Sequence, residues 1–167
     1  MMLYLSILLL LLSLILSLVV KRSGANKRLA LFMATVNFIW TLILIPIIQA
    51  KEVLVVSITH LSITLIADRL TVFMLQLSSF IFFILTIYAI QSIKKSTRKN
   101  GFFGFSFGIL MGVNGIFLAG DLLSLFIWLE VIVFFSIVLL ALGGKKRWLK
   151  RTRKYLFVNL ISIIFID

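Results

Sequence analysis

Length, composition and charge exclude several classes of protein before any motif is considered. The chain has 167 residues, of which 62% are hydrophobic and 13% are charged. A soluble domain is about 45–50% apolar and about 25% charged, so we predict an integral membrane protein. Because the chain has no Cys and one His, disulfides, thiol catalysis, Cys-ligated zinc, iron–sulfur clusters and a His-based metal site are excluded.

The apolar residues form six runs along the chain. They lie at about residues 2–20, 29–50, 69–93, 101–119, 122–142 and 155–167. A spanning helix needs about 20 apolar residues, which the first five runs provide. The sixth, as a helix, would be about 20 Å long, so we expect a partner to cover that end of the chain. The predicted fold class is therefore an all-α integral membrane protein of about six transmembrane helices in a single domain.

The basic residues predict how these helices are oriented. The net charge is +12, and 15 of the 17 Lys and Arg residues fall in alternate loops. They are Lys21, Arg22, Lys27 and Arg28, then Lys94, Lys95, Arg98 and Lys99, and seven more from Lys145 to Lys154. The positive-inside rule places these three loops in the cytoplasm and the N-terminus outside. Topology explains the charge, so we expect no nucleic-acid partner, although the last loop could bind anionic lipid.

Two connections between the runs carry further information. Residues Val53–Ala67 interleave β-branched residues with Ser and Thr, which favours an extended segment or hairpin, predicted here on the outer surface. His60, within it, is expected to be a surface or packing residue rather than a proton relay. Only Gly120 and Asp121 separate the fourth and fifth runs, so these two helices should be antiparallel neighbours.

A line of glycines runs along the predicted fourth helix. Gly104, Gly108 and Gly112 are spaced four residues apart, with Gly101 and Gly115 beside them. Small residues at this spacing let another membrane helix approach closely. We interpret the glycines as a packing surface.

One acidic residue lies where an ionised group is costly. The chain has five acids, and four can sit at helix ends or in loops. Glu130 instead follows Asp121 by nine residues, which places it about 13 Å into the fifth helix. Burial favours the protonated carboxyl and a nearby Lys favours the ionised form, so such a group can load and release a proton. The alternative is a neutral Glu that hydrogen-bonds to a neighbouring helix.

Three segments in order resemble one family of membrane proteins. They are GDLLSLFIWLEVIVFFSIVLLAL, IADRLTVFMLQLSSF and RKYLFVNL. The family pattern falls on Asp121, Leu122, Phe126, Trp128 and Glu130 in the first segment, on Asp68 in the second, and on Lys154 and Tyr155 in the third. The stretches are similar to the antiporter-like proton-pumping subunits of respiratory complex I, Mrp-type cation/proton antiporters and membrane-bound hydrogenases and related reductases. The resemblance covers about the first third of such a subunit.

The resemblance implies a function and a set of partners. Glu130 would be the ion-translocating residue, paired with a lysine on a later helix that this chain lacks, with Asp121, Asp68 and Lys154 in supporting positions. We therefore expect a truncated member, either one piece of a split subunit or a reduced paralogue, buried in a complex whose other membrane subunits supply the missing helices. Its location would be the cytoplasmic membrane of a prokaryote rather than a mitochondrion.

Three interpretations remain open on the sequence alone, the last of which is an unrelated small polytopic membrane protein. The first is translocation of protons or sodium in a multisubunit oxidoreductase or Mrp-type antiporter. In that case iron–sulfur or flavin cofactors would belong to partner subunits and none to this chain. The second is a structural or assembly subunit of such a complex that moves no ion itself.

Overall fold

The chain folds into helices joined at one end by a short β-hairpin. The computed structural model describes residues 2–20, 23–51, 53–58, 63–93, 97 and 101–142. In order, the elements are α1 (Met2–Val19), α2 (Ser23–Lys51), β1 (Leu54–Ile58), β2 (Ile63–Ala67), α3 (Arg69–Ser92), α4 (Phe102–Leu118) and α5 (Leu122–Leu142). The sixth predicted run, 155–167, lies outside the described residues.

Three of the described helices are long and apolar enough to cross a membrane. These spans are Gly24–Ile48, Arg69–Ser92 and Leu122–Leu142, while α1 and α4 are apolar but shorter. The structure differs from the sequence prediction at the start of α2, which begins at Ser23 rather than at residue 29. Lys27 and Arg28 therefore lie in the first turns of a helix and not in a loop. A long cationic side chain can reach polar surroundings from such a position.

The helices pack in a defined order. Helix α1 lies against α4 and α2, α2 pairs with α3, α3 also contacts α4, and α4 pairs with α5. Two clusters of buried side chains form the interior, one around Leu75 and Leu118 near the hairpin and one around Phe103 and Phe107 at the other end. Large apolar side chains such as Phe32 and Phe73 remain exposed on the outside, as expected of helices whose solvent is lipid.

The segment between α2 and α3 contains an antiparallel pair of strands. Leu54 pairs with Ala67 and Ile58 with Ile63, so β1 and β2 pair over their whole length. Residues 59–62, with His60, lie outside the described residues. The position of this hairpin on the outer side of a membrane stays a prediction from the loop charges.

The glycines of α4 receive two different helices. Gly101 and Gly104 meet Leu18 of α1, whereas Gly108 and Gly112 meet Phe135 and Ile132 of α5. Gly115 meets Trp128 of α5. As the residue number of the glycine on α4 increases, the residue number of its contact on α5 decreases. The two helices are therefore antiparallel neighbours. The glycine line is thus a packing surface that is divided between α1 and α5.

Candidate functional site

Glu130 lies in the middle of α5, on the side that α4 does not cover. The α5 residues that meet the glycines of α4 are Trp128, Ile132 and Phe135. At about 100° per residue these three define one face of the helix, and Glu130 lies roughly opposite to it. Its side chain is half-buried, and within the described ranges it has no hydrogen bond or ion pair.

The rest of this α5 face is apolar. Leu123, Ile127 and Phe134 lie on the same side as Glu130, and their side chains are 52%, 40% and 50% exposed. Of the whole helix only Ser124 is buried. In a membrane an acid on such a face needs a partner or a hydrated cavity, because an ionised group in lipid is costly. We call Glu130 with these three residues the Glu130 face.

Asp121 occupies the start of the same helix and holds it to the hairpin. Its Oδ2 accepts hydrogen bonds from the backbone N–H of Thr64 at 2.6 Å and from the Thr64 hydroxyl at 2.8 Å. Its Oδ1 accepts the backbone N–H of Ser124 at 2.6 Å, which caps the N-terminus of α5. The N–H donors of Ser124 and Thr64 lower the pKa of Asp121 to about 2.

Backbone contacts strengthen the same junction. The Gly120 N–H donates to the Thr64 carbonyl at 2.9 Å, and Leu65 forms an antiparallel bridge with Ala119. A Cβ on Gly120 would lie 2.6 Å from a side-chain atom of Ile66, so the turn approaches β2 too closely for a larger residue. The α4–α5 turn and β2 therefore form one unit.

Asp68 has a similar but smaller role at the start of α3. It is the N-cap of that helix, and its Oδ1 accepts the backbone N–H of Thr71 at 2.7 Å. This bond lowers the pKa of Asp68. The residue thus ends β2 and begins α3, and its place in the structure is that of a helix cap.

The structure does not gather the predicted site residues into one cluster. Asp121 and Asp68 both adjoin β2, at its two ends. Glu130 is nine residues deeper along α5, about 13 Å from the Asp121 cap. Lys154 lies outside the described residues.

Sequence reasoning missed the partners of Asp121. Among the described residues, Thr64 and Ser124 supply the donors to its carboxylate. The local signal was present, since an Asp placed directly before an apolar run is a helix start and the N–H three residues later is its usual donor. Nothing in the sequence pointed to Thr64, which is 57 residues away.

The low pKa of Asp121 makes the hairpin junction sensitive to acid. A carboxylate whose pKa is about 2 in the fold, against an ordinary 3.8, stabilises the junction fully above about pH 4 and loses this effect as the pH falls towards 2. We expect the protection factor of the Thr64 amide against hydrogen exchange to fall over that interval. In Asp121→Ala it should be low at every pH.

Asp68→Ala provides the matched control for that experiment. It removes a helix cap of the same type at the other end of β2, so it should expose the Thr71 amide and leave Thr64 protected. Equal protection of Thr64 in the native chain and in Asp121→Ala would contradict the assignment of Asp121 as the residue that holds the hairpin.

Comparison with known proteins gives a consistent set of relatives. No family model matches the chain. The chain is 40% identical over 105 residues to a Na⁺/H⁺ antiporter subunit of Alkalihalophilus pseudofirmus. The matched segment covers 62% of this chain and 21% of that protein. It is 28% identical over 100 residues to the Na⁺/H⁺ antiporter subunit of the same type in Bacillus subtilis, over 60% of this chain and 20% of that protein. The matched segment thus spans about a fifth of the length of these curated relatives.

Proposed function

The chain belongs to the antiporter-like membrane subunit family of Mrp-type antiporters and complex I, and from that premise we propose that Glu130 carries protons or sodium ions through a multisubunit antiporter. Within this proposal the chain is a membrane subunit of the cation/proton antiporter type. The observation that carries the role of Glu130 is its position, in mid-helix on the face of α5 that α4 leaves uncovered.

The chemistry of that position suits a relay that works with a second polypeptide segment. A carboxyl group in lipid is stable when protonated, or when ionised beside a cation. The described part of the chain provides no such cation for Glu130. We propose that a lysine of a further helix, on the same or another polypeptide, docks on the Glu130 face and that its approach and withdrawal release and reload the proton.

Asp121 and Asp68 have supporting roles in this proposal. Asp121 fixes the start of the helix that carries Glu130, and Asp68 fixes the start of α3 on the other side of β2. Neither touches the Glu130 carboxylate, so they act as positioning residues. Lys154 is proposed as a further supporting residue from the sequence resemblance alone.

The names of the relatives favour an antiporter over a redox-driven pump. Both are named as subunits of a Na⁺/H⁺ antiporter. We therefore propose that ion exchange drives the transport, and we keep coupling to electron transfer as the alternative to be tested. The chain itself would hold no redox cofactor in either case.

Co-purification tests the kind of complex. The tagged chain, extracted from its native membrane in a mild detergent, should carry with it other membrane subunits, identified by mass spectrometry. In everted vesicles that contain the complex, the addition of Na⁺ should dissipate a preformed pH gradient. Iron–sulfur or flavin subunits in the eluate would instead support the redox-driven alternative.

The same experiment can contradict the proposal. A chain that purifies alone would rule out a role inside a larger antiporter. An intact complex whose ion exchange does not depend on this chain would favour the alternative function, a structural or assembly subunit.

A further inference from the structure

A seam of polar side chains runs between α2 and α3 inside otherwise apolar helices. The Thr41 hydroxyl donates to Gln76 Oε1 at 2.8 Å, and Asn37 Nδ2 donates to Ser79 Oγ at 3.1 Å. Asn37 and Thr41 are one turn apart on α2, and Gln76 and Ser79 are nearly one turn apart on α3. These four residues, the polar seam, therefore form two consecutive rungs between the helices.

One atom of the polar seam is left without a partner. Asn37 is only 2% exposed, and its Oδ1 accepts no hydrogen bond from any residue that the structure describes. Buried amide oxygens are almost always satisfied, either by protein or by an ordered water molecule. The Ser79 hydroxyl beside it accepts from Asn37 and has a proton of its own to donate. This end of the seam thus has the chemistry to bind water.

A groove near the hairpin end of the bundle reaches the seam at Gln76. It has a volume of about 230 Å³. Its lining consists of Ile45, Ile48, Arg69, Val72, Phe73 and Gln76. Gln76 belongs both to the groove and to the seam, so its amide joins the two. Ten residues separate Arg69 from Ser79, so a path from the mouth of the groove to the far end of the seam would descend about 15 Å along α3.

We propose that the polar seam is a water-filled half-channel, which opens at the groove beside Arg69 and ends at a water molecule bound by Asn37 Oδ1. Water is the ligand because all four seam residues are neutral, and a cation at this depth would need a compensating charge. The two described acids near the hairpin are engaged elsewhere, Asp68 with Thr71 and Asp121 with Thr64. This path does not depend on Glu130, which lies on α5.

Thiol chemistry tests this proposal directly, because the sequence contains no Cys. Only the thiolate reacts, and a thiol in dry surroundings hardly ionises. Gln76→Cys and Ser79→Cys would be introduced singly into the full protein in its native membrane and treated with Ag⁺, which is small enough to follow water. The protein would then be denatured, and the thiols left free would be alkylated with N-ethylmaleimide and counted by mass spectrometry.

The same helix offers two matched controls. Leu75 is fully buried in the apolar core, and Phe80, at 46% exposure, faces outwards to the lipid. We expect Cys at 76 and 79 to react at least about tenfold faster than Cys at 75 and 80. Ser79→Cys as inert as Leu75→Cys would overturn the half-channel, and so would an inert Gln76→Cys.

A second variant tests the end of the path. Asn37→Leu removes the amide oxygen and places an apolar side chain over Ser79. Combined with Ser79→Cys it should suppress the reaction with Ag⁺, while the combination with Gln76→Cys should keep it. Unchanged reactivity at position 79 would show that Asn37 does not hold the terminal water, and the proposal would fail at that point.

Discussion

Glu130→Gln is expected to lower coupled ion movement by the assembled complex at least about 100-fold, while the complex stays intact. Gln keeps the size and the hydrogen-bonding capacity of a protonated Glu but cannot lose a proton. A relay therefore stops, whereas a purely structural contact survives. The measurement is the Na⁺-dependent release of a pH gradient in everted vesicles, normalised to the amount of complex.

Two control variants separate loss of the carboxyl group from general damage to α5. Glu130→Asp keeps the acid on a shorter side chain and should retain part of the transport. Leu129→Gln places the same amide at a neighbouring position, 43% exposed, and should leave transport close to that of the native chain. Normal transport in Glu130→Gln would refute the relay and favour a structural role for the subunit.

The helices could be predicted from simple features of the sequence, but the residues at which they begin and end could be predicted less well. Runs of about 20 apolar residues can hardly form anything but helices in lipid, because every backbone polar group needs a partner within the segment. Asp68 and Asp121 mark the starts of α3 and α5, since each caps its helix. The predicted start of α2 was wrong, because the charges of Lys27 and Arg28 indicate a loop although both residues are helical. The sixth run and the N-out topology stay predictions.

The depth of Glu130 could be predicted, but its direction could not. Counting nine residues from Asp121 fixes the position along the helix axis. The packing of Trp128 and Ile132 against the glycines determines which side of α5 faces α4. The sequence does not predict that side, because a segment that is apolar on all sides shows no helical periodicity of apolar and polar residues. The family resemblance, by contrast, was confirmed by the relatives.

Polar contacts between residues that are distant in the sequence could not be predicted either, because they too depend on how the helices pack. The Asp121–Thr64 contact joins residues 57 apart, and the Asn37–Ser79 bond joins residues 42 apart. Single Ser, Thr and Asn residues are common in membrane helices, and only the fold shows which of them meet. The polar seam is therefore a property of the packing of α2 on α3, which the sequence pattern alone does not predict.

At Gly112 backbone atoms of α5 lie close to α4. A Cβ built there would lie 2.5 Å from an Ile132 side-chain atom, 3.2 Å from the Ile132 nitrogen and 3.3 Å from the Trp128 carbonyl oxygen. At Gly108 the nearest atoms all belong to the Phe135 ring, which can rotate away. Side chains can move by a change of rotamer, but a helix backbone can yield only by moving the whole helix.

We therefore expect Gly112→Leu to destabilise the packing of α5 on α4 by about 1–3 kcal/mol or more. It should lower both the melting temperature of the complex and the amount of chain in the membrane, and Gly108→Leu should do so less. Gly24→Ala is the matched control, because nothing lies within 4 Å of a Cβ at that position, and Ala is the better helix former. Since α5 carries Glu130, a displaced α5 should also impair ion movement. A Gly112→Leu variant that assembles and transports normally would refute the close contact between α4 and α5. The placement of the Glu130 face depends on that contact.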